Sequence, residues 1–199
     1  RGMAVLNQDP AAALSDFETA LRWYPQSRDA MQNISHVLSE RLGRPAEAIR
    51  QLDKLLELYP NDNTARIGRG VLRARLGESV SAVEDAEMVL RESPSAIDTY
   101  QAACIYALLS TAQVDPSLNS GCLELLRTSL RLRPDLAALA AQDPDLESLR
   151  TTSAFQNLIT SAATLTSTDT IVTAVKLELP EQSTTYTAEC LQPSVTQQE

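Results

Sequence analysis

The chain has 199 residues, 43% of them hydrophobic and only 4% aromatic, and a formal net charge of -9. This length and hydrophobic fraction suffice for a sizeable core, and the shortage of aromatics favours helix packed on helix over sheet packed on sheet. The negative charge argues against binding a phosphate backbone, and no apolar run reaches the roughly 20 residues of a membrane span. Nucleic-acid binding and membrane insertion are therefore not expected.

Taken in chain order, the predicted helices share one internal register. Pro25, Pro60, Pro94 and Pro134 are each preceded, twelve positions upstream, by a small residue: Ala13, Ala48, Ala82 and Cys122. Four positions after that residue stand Phe17, Leu52, Ala86 and Leu126, and seven positions after it Ala20, Leu55, Val89 and Ser129. At the eighth position stands a leucine each time: Leu21, Leu56, Leu90 and Leu130. Steps of 0, 4, 7 and 8 trace one face of an α-helix, and the proline just beyond it stops its continuation. Gly43 and Gly77, 34 residues apart, are placed to end preceding helices and admit a tight turn.

Successive prolines lie 35, 34 and 40 residues apart, while the internal spacing stays constant. The extra residues therefore fall outside the second helices, in the turn-rich stretch Ser110-Thr111-Ala112-Gln113-Val114-Asp115-Pro116. A two-helix unit repeated at this period predicts an array in which each hairpin covers the apolar face of its neighbour.

The unit resembles the tetratricopeptide repeat, with Gly70, Tyr100 and Cys104 matching small and aromatic positions of the first helix. The resemblance implies an all-α fold, a tetratricopeptide-like α-solenoid of antiparallel helix pairs with a C-terminal capping helix. A truncated repeat would occupy residues 1–26, full repeats about 27–62, 63–96 and 97–134, and the cap 135–162. Arg1 falls in the middle of a repeat, so an upstream segment is expected. Arg69, Arg73, Ser35 and Ser39 stand where the family usually keeps apolar residues, and Ile67, Val71 and Leu72 carry the apolar character instead. The stretch Tyr100-Gln101-Ala102-Ala103-Cys104-Ile105-Tyr106-Ala107-Leu108-Leu109 is also similar to repeat regions attached to bacterial serine/threonine kinases, although no kinase motif is present.

By this resemblance the chain works as a protein- or peptide-binding scaffold module. Its ligand would lie in a concave groove formed by Asn33, Val37, Arg41, Ile67, Val71, Arg75, Gln101, Ile105 and Leu108. Relatives that clamp a terminal carboxylate use a fixed Lys and Asn set, of which Asn33 alone is found. The alternative reading is a structural spacer or dimerisation segment of a kinase-like protein, without a ligand of its own.

Arg66, Arg69 and Arg73 follow the spacing i, i+3, i+7 and so share one side of a helix. Two readings stand open: pairing with acidic neighbours such as Asp53, Glu57, Glu84 and Asp85, or an anion site for a partner's carboxylate.

Catalysis has little to stand on. His36 is the only histidine, Cys104 and Cys122 fall where the repeat demands small side chains, and Cys190 lies in a polar tail. Asp143 and Asp145 could pair for acid–base work, but Asp145 reads as a helix-initiating residue, and Glu84, Asp85 and Glu87 read as a solvated face. No enzyme activity, cofactor or metal is expected. Three cysteines without CxxC spacing suit a reducing compartment, hence the cytoplasm.

From Ala163 to Glu199, 16 of 37 residues are Ser, Thr or Gln, which predicts a flexible tail. Within it, residues 171–179 alternate at strand period and could dock into the groove of the same chain. A homodimer is the other self-association considered.

Overall fold

A computed structural model describes residues 2, 8–112 and 116–164. Within these residues the chain is helical with no strand. Helices α1 (Pro10–Trp23), α2 (Arg28–His36), α3 (Pro45–Leu58), α4 (Asn63–Arg75), α5 (Ser79–Leu90), α6 (Ala96–Ala112) and α7 (Pro116–Leu132) follow one another as a stack of hairpins. A short α8 (Leu136–Ala140), a 3-10 turn (Pro144–Leu149) and α9 (153–164) close it. Among the described residues no helix is long and apolar enough to cross a membrane.

Local chemistry sets the helix ends. Asp9, Ser27 and Asp62 each accept a backbone N–H from the first turn of the next helix, those of Ala12, Ala30 and Ala65. Ser95 and Asp98 do so reciprocally: the Ser95 hydroxyl accepts the Asp98 N–H at 3.1 Å, and Asp98 accepts that of Ser95 at 3.0 Å. Pro10 and Pro45 open α1 and α3, where no N–H is needed. Tyr24 and Tyr59 end the same two helices in non-helical conformations, as the following Pro25 and Pro60 disfavour the helical region there. Gly77, at φ +79°, terminates α4 while Glu78 N–H bonds the Arg73 carbonyl and Gly77 N–H that of Ala74. Gly43, at φ +62°, makes the equivalent turn one repeat earlier.

The repeat register governs the core. Ala13, Ala48, Ala82 and Cys122 are all 0% exposed. Phe17, Leu52, Ala86 and Leu126 are buried beside them, and the apolar side chains form three successive clusters from α1 to the cap. Each cluster draws on helices from two or three adjoining units, so the hairpins share one continuous core. Gly70 marks the closest approach: a Cβ there would lie 2.8 Å from Ile105 Cδ1, 3.1 Å from Asp85 Cβ and 3.4 Å from the Ala82 carbonyl oxygen.

Three details differ from the sequence expectation. The inserted residues lengthen helices rather than forming only a turn, since α6 and α7 have 17 residues each against 14 in α3 and 13 in α4. The last turn of α2 widens into a π-helix at Val37–Arg41, closed by Leu42 N–H on the Val37 carbonyl at 3.0 Å. One residue is thereby inserted into the helical count, which rotates the end of this helix relative to the ordinary repeat. Finally, Asp143 and not Asp145 begins the 3-10 turn, accepting the Asp145 N–H at 3.0 Å. The expected tail docking of residues 171–179 lies outside the described residues, as does Cys190.

Candidate functional site

Helices α2, α4 and α6 line one cavity of about 460 Å³, with α4 packed against α6 and the cap at one end. Helix α2 and its π-turn contribute Gln32, Asn33, Ser35, His36, Ser39 and Glu40; α4 contributes Thr64, Gly68, Val71, Leu72 and Arg75. Helix α6 adds Ile97, Tyr100, Gln101 and Cys104, and the cap adds Leu139, Asp143 and Asp145. Ile97 and Leu139 expose apolar surface at the rim. Gly68 opens the floor, because a Cβ built there meets nothing within 4 Å.

The charged groups of this groove are arranged around Arg75. Its Nε and Nη2 donate to the two carboxylate oxygens of Asp145 at 3.0 and 2.9 Å, and its Nη1 donates to Glu40 at 2.9 Å. A guanidinium from the second full repeat thus fastens the cap to the end of α2 in the bidentate geometry arginine favours. The Asp145 hydrogen bond, outweighing partial burial, holds the Arg75 pKa above its already high ordinary value.

Beside this pair, the Tyr100 hydroxyl donates to Asp143 Oδ2 at 2.6 Å, and the Cys104 thiol points at the same oxygen from 3.8 Å. Burial first, and then the Asp143 hydrogen bond, push the Tyr100 phenol up; burial and the nearby carboxylates do the same to Cys104. Cys104, Asp143 and Asp145 bring one ligand atom each within 4.8 Å of one another. They form a hydrogen-bonded node in which Asp145 also binds Arg75. Cys122, pushed up to about 12 by burial, is likewise a packing thiol.

Four of the sequence-predicted groove residues, Asn33, Val71, Arg75 and Gln101, line the cavity. The other five do not. Val37, Ile67 and Ile105 are fully buried between helices, and Leu108 packs half-buried against the same core. Arg41 is exposed away from the cavity, in the π-turn. The apolar residues among these five are ones the hairpins bury as they stack. Gly68, Glu40, Tyr100, Asp143 and Asp145 were missed as groove residues. Gly68 left a signal, since a helical glycine two positions from Gly70 needs its own reason.

Of the arginine trio, Arg69 and Arg73 pair within the chain. Arg69 grips Asp85 at 3.0 and 2.6 Å and Asp53 at 2.7 Å, and Arg73 donates to Asp85 at 2.8 Å. Arg66 turns away to the Pro60 carbonyl and lies 3.5 Å from Asn63 Oδ1. Two of the three guanidiniums are thus engaged by carboxylates of the same chain.

The repeat geometry now has an independent counterpart in known proteins. Residues 40–97 match the tetratricopeptide repeat family. The match runs from the last turn of α2 through α5 to the start of α6, which is the central part of the stack. The fold as a whole is similar to a solved structure described as a MamA RS-1 ArsTM double mutant. Its TM-score is 0.56 at 18% identity, over 80% of this chain and 91% of that one. The likeness establishes a common all-helical repeat architecture. No curated protein matches the sequence.

Proposed function

We propose that this chain is a protein-binding scaffold module that holds an extended segment of its partner in the groove between α2, α4 and α6. The observation that supports this most is the open trough over Gly68, flanked by the hydrogen-bonding side chains Asn33, Thr64 and Gln101 and rimmed by Ile97 and Leu139. An extended chain offers alternate side chains to such a surface and its backbone amides to the polar walls. Of the candidate groove residues, Asn33, Val71, Arg75 and Gln101 retain that role.

Gly68→Leu tests the proposal. The position has room for a side chain and lies within a helix, so the substitution fills the groove and raises helix propensity by about 1 kcal/mol. Peptides selected from a random display library on the wild-type chain should bind Gly68→Leu at least tenfold more weakly, with the melting temperature unchanged or higher. Equal binding by the two proteins would refute the groove.

Trp23 and Tyr24, exposed at the end of α1 beside Tyr59, favour a second reading: a contact surface for self-association or for a neighbouring domain, including a kinase-like one. A concentration-independent dimer in light scattering, lost in Trp23→Ser, would favour it.

A further inference from the structure

The groove contains three carboxylates, Glu40, Asp143 and Asp145, against the single guanidinium of Arg75. Arg75 already spends three N–H groups on Asp145 and Glu40. The excess negative charge falls at Asp143. Among the described residues no arginine, lysine or histidine nitrogen pairs with its carboxylate; Arg150 reaches only its backbone carbonyl, at 3.1 Å, and pairs with Glu147 instead. Three neutral donors hold the carboxylate in place: the Tyr100 hydroxyl, the Asp145 N–H and the Cys104 thiol. A carboxylate offers about four acceptor positions, so one direction and the whole charge are left over. Asp143 is only partly buried and lines the same cavity as Ile97 and Leu139, whose exposed apolar surface suits the methylene stem of a long cationic side chain.

Resting on the groove reading above, we infer that the partner segment is basic, with a lysine or arginine seated on Asp143 at the capped end of the groove. The charge of the whole chain, -9, points the same way by attracting a cationic partner before contact. An acidic segment would meet three carboxylates and would have to compete with two of them for Arg75. The site differs from the arginines on α4, of which Arg69 and Arg73 are paired with Asp85 and Asp53.

The full chain should be probed with arrays of short peptides carrying one fixed residue (Lys, Arg, Gln or Glu) among randomised neighbours. Wild type is compared with Asp143→Asn, which keeps the acceptor for the Asp145 N–H and turns the other oxygen into an amide N–H that the Tyr100 hydroxyl can accept, and with Gly68→Leu. The expected result is a Lys and Arg signal about tenfold above Glu, falling to less than threefold in Asp143→Asn at an unchanged melting temperature. Raising salt from about 50 to 500 mM should weaken the Lys peptides and leave the Gln peptides nearly unaffected, a readout that needs no variant. Selection of Glu, or no selection by charge, would overturn the basic partner and leave the groove standing. Lys and Arg selection that persists undiminished in Asp143→Asn would overturn Asp143 as the seat. A signal equal in Gly68→Leu would overturn the groove itself.

Discussion

Asp85→Asn should be among the most damaging single changes available in this chain. The Asp85 side chain is only 5% exposed, and its two oxygens take both Arg69 contacts and one from Arg73, whose own side chains are 17% and 19% exposed. The near-isosteric amide preserves the close contact between Asp85 Cβ and Gly70, so steric repacking contributes little. What is lost is the charge: two neighbouring guanidiniums are left with Asp53, 41% exposed, and, for Arg73, Glu78 at 3.9 Å and 52% exposed, both screened by water. Removing one member of a buried ion pair costs about 3 to 5 kcal/mol, and the residual water access of both arginines sets the expectation near 3. In a chain of this size that corresponds to a fall in melting temperature of about 6 to 12 °C. Urea unfolding followed by far-UV circular dichroism measures it. Replacing Asp85, Arg69 and Arg73 together by Leu, Met and Met should recover most of the loss, since apolar isosteres need no desolvated charge. A loss below about 1 kcal/mol for Asp85→Asn would refute the view that this carboxylate organises the α3–α4–α5 contact.

Ala82→Leu should destabilise by about 1 to 3 kcal/mol through overpacking, because Ala82 is fully buried where α5 meets Gly70 of α4. Val80→Leu, on the exposed side of the same helix, should be within about 0.5 kcal/mol of wild type in the same urea titration. Burial alone would raise the Asp62 pKa, but the Arg28 guanidinium at 2.6 Å and the Ala65 N–H outweigh it and hold it below the ordinary aspartate value. A depressed carboxylate contributes stability above its unfolded pKa of about 3.9, and that contribution is lost as pH falls through the folded value. The melting-temperature gap between wild type and Asp62→Asn should therefore be constant near neutrality and close below about pH 4.

What the sequence made legible was equivalence. Residues that recur at the same step from a proline must occupy the same environment, and Ala13, Ala48, Ala82 and Cys122 do. Gly43 and Gly77 were legible for a related reason, since an isolated glycine at a helix end announces a backbone that other residues resist. The groove was less legible because periodicity says which residues face together without saying which way they face. Ile67 and Ile105 satisfied the periodic criterion for a shared stripe, and that stripe proved to be the stacking seam. The π-turn after His36 added a rotation that no local propensity signals. Arg75 was recognised, but its bond to Asp145 joins positions 70 apart in the chain, beyond the reach of any pattern read within one repeat.

That bond also alters how the array should come apart. In a linear stack each hairpin leans only on the next, and the last to be added is ordinarily the first to fray. Here the closing 3-10 turn is clasped through Arg75 to a helix two hairpins back and, through the same guanidinium, to Glu40. Opening of the terminus therefore tugs on the middle of the stack. The cap and the central hairpin should exchange their amide hydrogens as a single cooperative unit, while α1, outside the clasp, opens on its own.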